Sequence, residues 1–357
     1  MAYDGSIKIA VDLDEKQLKS ALSGIGNTTS KALGVAAKSV AAVGAAVVAA
    51  GGFAIKAGIE FESAFTGVVK TVNATDEQLA KLQDDLRDMA QNMPATAADL
   101  ADIAASAGQL GIQTDNIAGF TKTIADLGVA SNLAGEEAAV MLARFANITG
   151  MAQQDFDRLG STIVALGNNL ATSEAEIAEM AMRLAGAGTQ VGMTENQILS
   201  FAGALSSVGI EAEAGGTAFS TLMSNMQLAV ETGNEDLTSF AQIAGMSASE
   251  FKKAFQQDAA GAIISFINGL GQAEEKGQSA IKMLSDMGIT EVRMRDALLR
   301  ASGASELFTN SLQIGSQAWE ENTALTKEAE QRYKTLESQL GIFKNRVTEI
   351  GIAFKES

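Results

Sequence analysis

The pattern of apolar and polar positions predicts helices along most of the chain. From Glu60 to about Gly315, apolar residues recur at helical spacing in runs of about 10–20 residues, separated by glycine-containing turns. Five runs start with Ser or Thr followed three residues later by Gln, Glu or Asp. This is the spacing of a capping box, in which both side chains bond free N–H groups of the first helical turn. The pairs are Thr75–Gln78, Thr96–Asp99, Ser173–Glu176, Thr194–Gln197 and Ser247–Glu250. The pattern predicts an all-α, multi-helix bundle.

Two N-terminal segments depart from this pattern. Residues Ser6 to Asp14 alternate apolar and polar side chains, which predicts a short edge β-strand. Residues Ser39 to Ile55 form an uncharged run of 17, rich in Ala and Gly. A membrane-spanning helix needs about 20 apolar residues, whereas small residues four apart allow close helix packing in water or in lipid. We favour a buried packing helix, and contact with a membrane is the alternative interpretation.

An internal repeat is visible in the middle of the chain. The segment Gly111–Phe120 resembles Gly192–Phe201, and the matching residues lie 81 positions apart. The same offset relates Phe120 to Phe201, Gly128 to Gly209 and Gly135 to Gly216. The helices just before align at an offset of 77, which indicates a small insertion. We interpret this as a duplicated three-helix unit within one bundle; a shared bias towards Ala and Gly is the alternative explanation.

The C-terminal region has a heptad pattern. Seven apolar residues, here called the seam, are spaced alternately 3 and 4 apart: Tyr333, Leu336, Leu340, Phe343, Val347, Ile350 and Phe354. This spacing predicts a coiled coil or a helix packed lengthwise on a neighbour. We expect copies of the chain to associate through the seam, and the helix to begin a longer rod. The predicted organisation is residues 1–59, a helical core at 60–315 and the heptad helix at 316–357.

Composition excludes most catalytic chemistry and nucleic-acid binding. The chain has no His and no Cys, which removes the usual general base, the common zinc ligands and the thiolate nucleophile. We therefore predict no enzyme activity, no cofactor and no metal site. The net charge is −17, whereas phosphate binding requires clustered Lys and Arg. A single proline and few aromatic residues favour long helices around a thin core of Ala, Leu, Ile, Met and Val.

The order of these segments resembles that of the phage tail tape measure proteins, in their TP901-type core region. The resemblance runs from about Glu60 to Phe354. It is carried by FESAF at 61–65 followed by Val68 and Val69, by AGQLG at 107–111, and above all by Asn168–Met226. The segments Ala244–Phe255 and Ile263–Leu270 fit as well. No single one of these motifs is diagnostic, and the specificity lies in their length and order.

The resemblance implies a scaffold inside the tail tube of a phage or prophage, which sets tail length, assists tube assembly and leaves before DNA passes. The implied partners are further copies of the chain as trimer or hexamer, the tail tube protein, tail assembly chaperones, and tail tip or baseplate proteins. Transient contact with the host membrane is also implied. The expected location is the lumen of the virion tail, after assembly in the bacterial cytoplasm. The alternative function is a membrane-active pore-former that acts through residues 39–55.

Overall fold

A computed structural model describes residues 40–356 except 134, 274 and 275, and describes side chains from residue 56 to residue 350 with the same gaps. Over these residues the chain forms seventeen α-helices and one 3-10 turn, with no strand. The all-α prediction is confirmed, and the predicted strand at 6–14 lies outside the described residues. The helices are α1 Val40–Thr71, α2 Asp76–Ala90, α3 Ala97–Gln109, α4 Thr114–Ala130, α5 Gly135–Thr149, α6 Phe156–Asn169, α7 Glu174–Gln190, α8 Glu195–Ser207, α9 Ala212–Thr232, α10 Glu235–Ile243, α11 Ala248–Gln257, α12 Ala259–Gly271, α13 Ala280–Asp286, α14 Val292–Ser302, α15 Ser305–Glu321, α16 Ala324–Tyr333 and α17 Leu336–Glu356.

The five predicted capping boxes all stand at the start of a helix. Both reciprocal hydrogen bonds form at Thr75, Thr96, Ser173 and Ser247. At Thr194, the backbone N–H donates to Oε1 of Gln197 at 3.0 Å. Because each box satisfies donors that the first turn leaves free, the sequence defines where these five helices begin.

The duplication is visible in the first two helices of each unit. In both units the first helix ends in the same turn, with Gly111 at φ +82° and Gly192 at φ +83°. Phe120 and Phe201 are both buried on the helix that follows. In each unit, moreover, the first helix packs against the second and the third. The two units differ in conformation after the second helix begins: Gly128 lies within α4, whereas the matching Gly209 forms the turn after α8.

The change of offset from 77 to 81 falls inside one helix. The capping residues Thr96 and Ser173 are 77 positions apart, and the terminal glycines Gly111 and Gly192 are 81 apart. Helix α3 has 13 residues and α7 has 17. Four residues are close to one turn of an α-helix. The insertion predicted from the sequence is therefore one additional turn of α7.

Most buried apolar residues are Ala, Leu, Ile, Met and Val, as predicted, and phenylalanines provide the largest buried side chains. The eight largest fully buried side chains are phenylalanines, spread from Phe120 to Phe308. Phe120 contacts Phe156 edge to face at 4.7 Å between ring centroids, and Phe308 contacts both Phe201 and Phe219. Edge-to-face contacts, as in the pairs Phe120–Phe156 and Phe201–Phe308, stabilise beyond the area that they bury. The chain has few aromatic residues, but most of its phenylalanines are buried in the core.

Glycines allow some helices to approach closely around these rings. A Cβ on Gly315 of α15 would lie 2.1 Å from Oγ of Ser200 on α8. A Cβ on Gly269 of α12 would lie 1.7 Å from the carbonyl oxygen of Ile243. Both distances are far below a normal contact, so a side chain at either position would force its neighbour to move, and at Gly269 that neighbour is backbone. Close approach of backbones, as the composition predicts, occurs at these crossings.

The predicted division into three regions does not coincide with helix ends. Helix α1 continues through residues 59 and 60, and α15 continues through 315 and 316. The division therefore stays a prediction. None of the helices in the described part of the chain has the length and apolarity to cross a membrane.

Candidate functional site

The C-terminal segment, residues 324–356, folds back onto the bundle as two helices. Helix α16 packs against α4 and α6, and α17 packs against α1 and α2. The two helices are separated by a break at Lys334 and Thr335. Oγ1 of Thr335 accepts a hydrogen bond from the N–H of Ser338 at 3.3 Å, so Thr335 caps the start of α17.

Asn322 fixes the turn that leads into this segment. It has a left-handed backbone (φ +49°), a conformation that Asn adopts more readily than most residues. Its Oδ1 accepts a hydrogen bond from Oγ of Ser161 at 3.0 Å, and its Nδ2 donates to Oδ2 of Asp157 at 2.6 Å. Arg158 donates from Nη1 to the carbonyl oxygen of Trp319 at 2.6 Å. Helix α6 therefore holds both sides of the turn.

A buried carboxylate holds the end of α16. Asp126 on α4 is only 2% exposed, and its Oδ2 pairs with Nζ of Lys122 at 2.5 Å. Its Oδ1 accepts a hydrogen bond from the hydroxyl of Tyr333. Burial is the main cause that raises the pKa of Tyr333 above its ordinary value, and the hydrogen bond and negative charge of Asp126 raise this pKa further. The phenol therefore stays a donor at neutral pH.

The docked face of α17 is mostly polar. Asn345 is buried, and its Nδ2 lies within 3.1 Å of the carbonyl oxygens of Ala90, Met93 and Ala95. Nε of Arg346 donates to the carbonyl oxygen of Gln91 at 2.7 Å. The two N–H groups of this one side chain thus serve carbonyl groups at the end of α2 and in the turn after it, which would be costly to bury without donors.

An ion pair holds α17 to α2 one turn further along. Arg87 contacts Glu349 through two of its guanidinium nitrogens, at 2.7 Å from Nη2 to Oε1 and 3.3 Å from Nε to Oε2. The two side chains are 11% and 22% exposed. This two-point geometry is the strongest arrangement of a guanidinium and a carboxylate.

The structure does not bring the seven seam residues together on one continuous helix. Tyr333 ends α16 and is half-buried against the core. Leu336 and Leu340 on α17 are 77% and 59% exposed. Phe343, Val347 and Ile350 follow on α17 and are half-buried, and the side chain of Phe354 lies outside the described part. Association through the seam stays a prediction.

Sequence reasoning missed the face of α17 that docks. Ser338, Ile342, Asn345 and Glu349 are spaced 4, 3 and 4 apart, which is a second helical stripe beside the seam. Its spacing could have identified it, but its composition could not, because three of the four residues are polar. Polar stripes on helices are normally solvated.

No site for metal chemistry is formed by the residues that the structure describes: no three acidic side chains are grouped so that they could hold a metal ion. A cavity of about 410 Å³ lies beside Asn322. Phe120 and Phe156 form its apolar part, and Asp115 and Lys122 contribute opposite charges. The arrangement around the C-terminal segment is therefore one of helix docking.

One family model matches residues 83–288, which is more than half of the chain, and its description is phage-related minor tail protein. The chain belongs to this family. The match extends from α2 to just beyond α13 and includes both copies of the duplicated unit. It ends before the C-terminal segment. Membership of the phage-related minor tail proteins makes the chain a structural component of a phage tail. Neither the curated proteins nor the solved structures contain a significant match to the chain.

Proposed function

We propose that this phage tail protein is a tail tape measure protein, which acts as a scaffold and sets the length of the tail without catalysing a reaction. The observation that carries the proposal is the match to the phage-related minor tail proteins over residues 83–288, inside the longer resemblance to tape measure proteins. The all-helical fold supports it, since helices convert residue number into length at about 1.5 Å per residue.

The C-terminal segment supports a role in assembly. Its seam has the spacing of a coiled coil, and two of its leucines are exposed in the single chain. We propose that copies associate through the seam and that the rod begins there. The tail tube protein, the assembly chaperones and the tail tip proteins are the further partners in this proposal, and the tail lumen is the location.

Tail length tests the proposal. Inserting ten heptads, about 70 residues, after Phe354 should lengthen the assembled tail by roughly 105 Å, as measured by electron microscopy of whole virions. The same number of flexible residues inserted at the exposed turn of Gly150 serves as the control and should leave tail length unchanged. A tail of normal length after the heptad insertion would refute the length-setting function.

A further inference from the structure

The seam in the sequence is continuous where the helix in the structure is broken. The alternating spacing of 3 and 4 runs from Tyr333 to Leu336 without interruption, across the break at Lys334 and Thr335. The break turns Tyr333 towards Asp126, whereas Leu336 and Leu340 face away from the core. A heptad seam forms one face only on a continuous helix. The sequence therefore fits a straight helix better than the bent one.

Helix α17 is docked through the stripe of Ser338, Ile342, Asn345 and Glu349, and two leucines of the seam face outward. Asn345 and Glu349 make polar contacts with the bundle and Ile342 is buried beside them, while Leu336 and Leu340 are 77% and 59% exposed. A surface helix normally buries its apolar face. The docked arrangement therefore satisfies polar groups but leaves most of the apolar surface of these two leucines in water.

We propose that residues 324–356 convert from the bent, docked form to one straight helix, whose complete seam pairs with the same helix of a second copy of the chain. The inference rests on the proposed self-association and adds its mechanism. Straightening removes the Thr335 cap and continues the backbone hydrogen bonds from α16 into α17. It also detaches Tyr333 from Asp126 and Asn345 from the turn after α2.

The charges beside the seam favour a second copy as the occupant. With Tyr333 at heptad position a, Arg332 occupies position g and Glu337 occupies position e. In a parallel pair, g of one helix faces e of the next heptad on the other helix, and opposite charges there stabilise the pair. Arg332 of each copy would face Glu337 of the other. An identical helix also has the same seam spacing, so every apolar residue meets a matching one.

A proline at the break tests the straightening. Leu336 is the first residue of α17, a position that tolerates proline. In a straight helix the same residue would be interior, where proline costs about 3 kcal/mol in each copy, or about 6 kcal/mol per pair. Leu336→Pro should therefore keep the folded monomer but weaken self-association of the full chain roughly 10,000-fold relative to Leu336→Ala, measured by sedimentation equilibrium. Leu336→Ala is the matched control, because it removes the same seam side chain and keeps the helix. Equal association of the two variants would overturn the proposal.

A second variant tests whether the docking of α17 on the bundle competes with pairing through the seam. Asn345→Ala removes the docking donor without touching the seam, so it should strengthen self-association about 100-fold, because each of the two copies loses one hydrogen bond to the turn. Hydrogen exchange of α17 should become faster in the monomer. Asn147→Ala, at an exposed residue of α5, should change neither measurement. Association that is unchanged or weaker in Asn345→Ala would contradict the competition between docking and pairing.

The seam itself is tested separately with Leu340→Asp. This charge should abolish self-association in every background and leave the monomer folded, since Leu340 is largely exposed. If Leu340→Asp associates like the unmodified chain, the proposed self-association through the seam is wrong. If Leu340→Asp abolishes association but Leu336→Pro matches Leu336→Ala, only the straightening is wrong.

Discussion

The hydroxyl of Tyr333 donates a hydrogen bond to Oδ1 of Asp126, a residue 207 positions earlier in the chain. The contact joins α16 to α4, and it gives a buried carboxylate a second partner besides Lys122. A buried charge that loses a donor is destabilised, because water cannot replace the lost bond. Loss of this hydrogen bond would therefore release the end of α16 and destabilise the buried carboxylate of Asp126.

Replacing Tyr333 should weaken the fold and alter its response to high pH. Tyr333→Phe should lower the free energy of unfolding at pH 7 by about 1.5–3 kcal/mol, the contribution of a hydrogen bond to a charged group. The folded state raises the pKa of Tyr333, so its stabilising effect is complete below the ordinary tyrosine pKa of about 10 and is lost as pH rises above it. Urea unfolding between pH 7 and pH 11 should show a smaller alkaline loss in Tyr333→Phe.

The absorbance of ionised tyrosine provides the control. The chain has two tyrosines, so Tyr3→Phe isolates Tyr333. Asp126→Asn should lower the pKa of Tyr333 in this background, because it removes the negative charge. A Tyr333 that titrates at the ordinary value in the unaltered chain would contradict the contact.

The ion pair between Arg87 and Glu349 should contribute more than pairs on the surface. Glu349→Gln should lower the free energy of unfolding by about 1–3 kcal/mol, because it removes the charge of a carboxylate that pairs with a largely buried guanidinium. Asp286→Asn is the comparison, since Asp286 and Lys282 are 64% and 72% exposed, and pairs of this kind contribute about 0–1 kcal/mol. Denaturant unfolding of both variants measures the difference, and equal losses would refute the role of Glu349.

Two glycine-to-alanine substitutions should have opposite effects on stability. Gly315→Ala places a methyl group against Ser200 and should destabilise by about 1–3 kcal/mol. Gly119→Ala lies within α4, with no atom of another group within 4 Å of its Cβ, and should stabilise by up to about 1 kcal/mol. Thermal unfolding distinguishes them. Ser200→Ala should partly restore the Gly315→Ala variant, and failure of this rescue would show that another contact limits the crossing.

The capping box of α7 should respond to acid. The backbone N–H of Ser173 is the main cause that lowers the pKa of Glu176, and the Ser173 hydroxyl lowers it further. A lowered pKa contributes stability above the ordinary glutamate value of about 4.3, and this stability is lost as pH falls. Titration by NMR should find the Glu176 pKa below that value, and Ser173→Ala should raise it. Glu176→Gln keeps an acceptor for the box but removes its dependence on acid, so its stability below pH 4 should approach that of the unaltered chain.

The sequence predicts where helices begin better than how they pack. The five capping boxes depend on neighbouring residues alone, so a local pattern is sufficient to find them. The turns at Gly111 and Gly192 are equally local, because a left-handed backbone favours glycine. The contacts among the buried phenylalanines were not predicted, since composition gives the number of aromatic side chains but not their position.

The docking of α17 could not be read from side chains. Asn345 bonds carbonyl oxygens of the turn after α2, and every residue type has the same carbonyl group. The partners of Asn345 therefore leave no signal in the sequence. The seam has a strong signal in the sequence, but the described residues do not place it on one continuous helix.

The additional turn in α7, compared with α3, shows how a helix of this protein can change length. Four residues were accommodated between a fixed cap and a fixed terminal glycine, and both ends kept their geometry. Growth by a whole turn adds about 6 Å and rotates the later residues by only about 40°, so buried positions remain buried. Insertions of two residues would rotate the same face by about 200° and expose it. Length in such a protein therefore changes by increments, and each increment is one turn of helix.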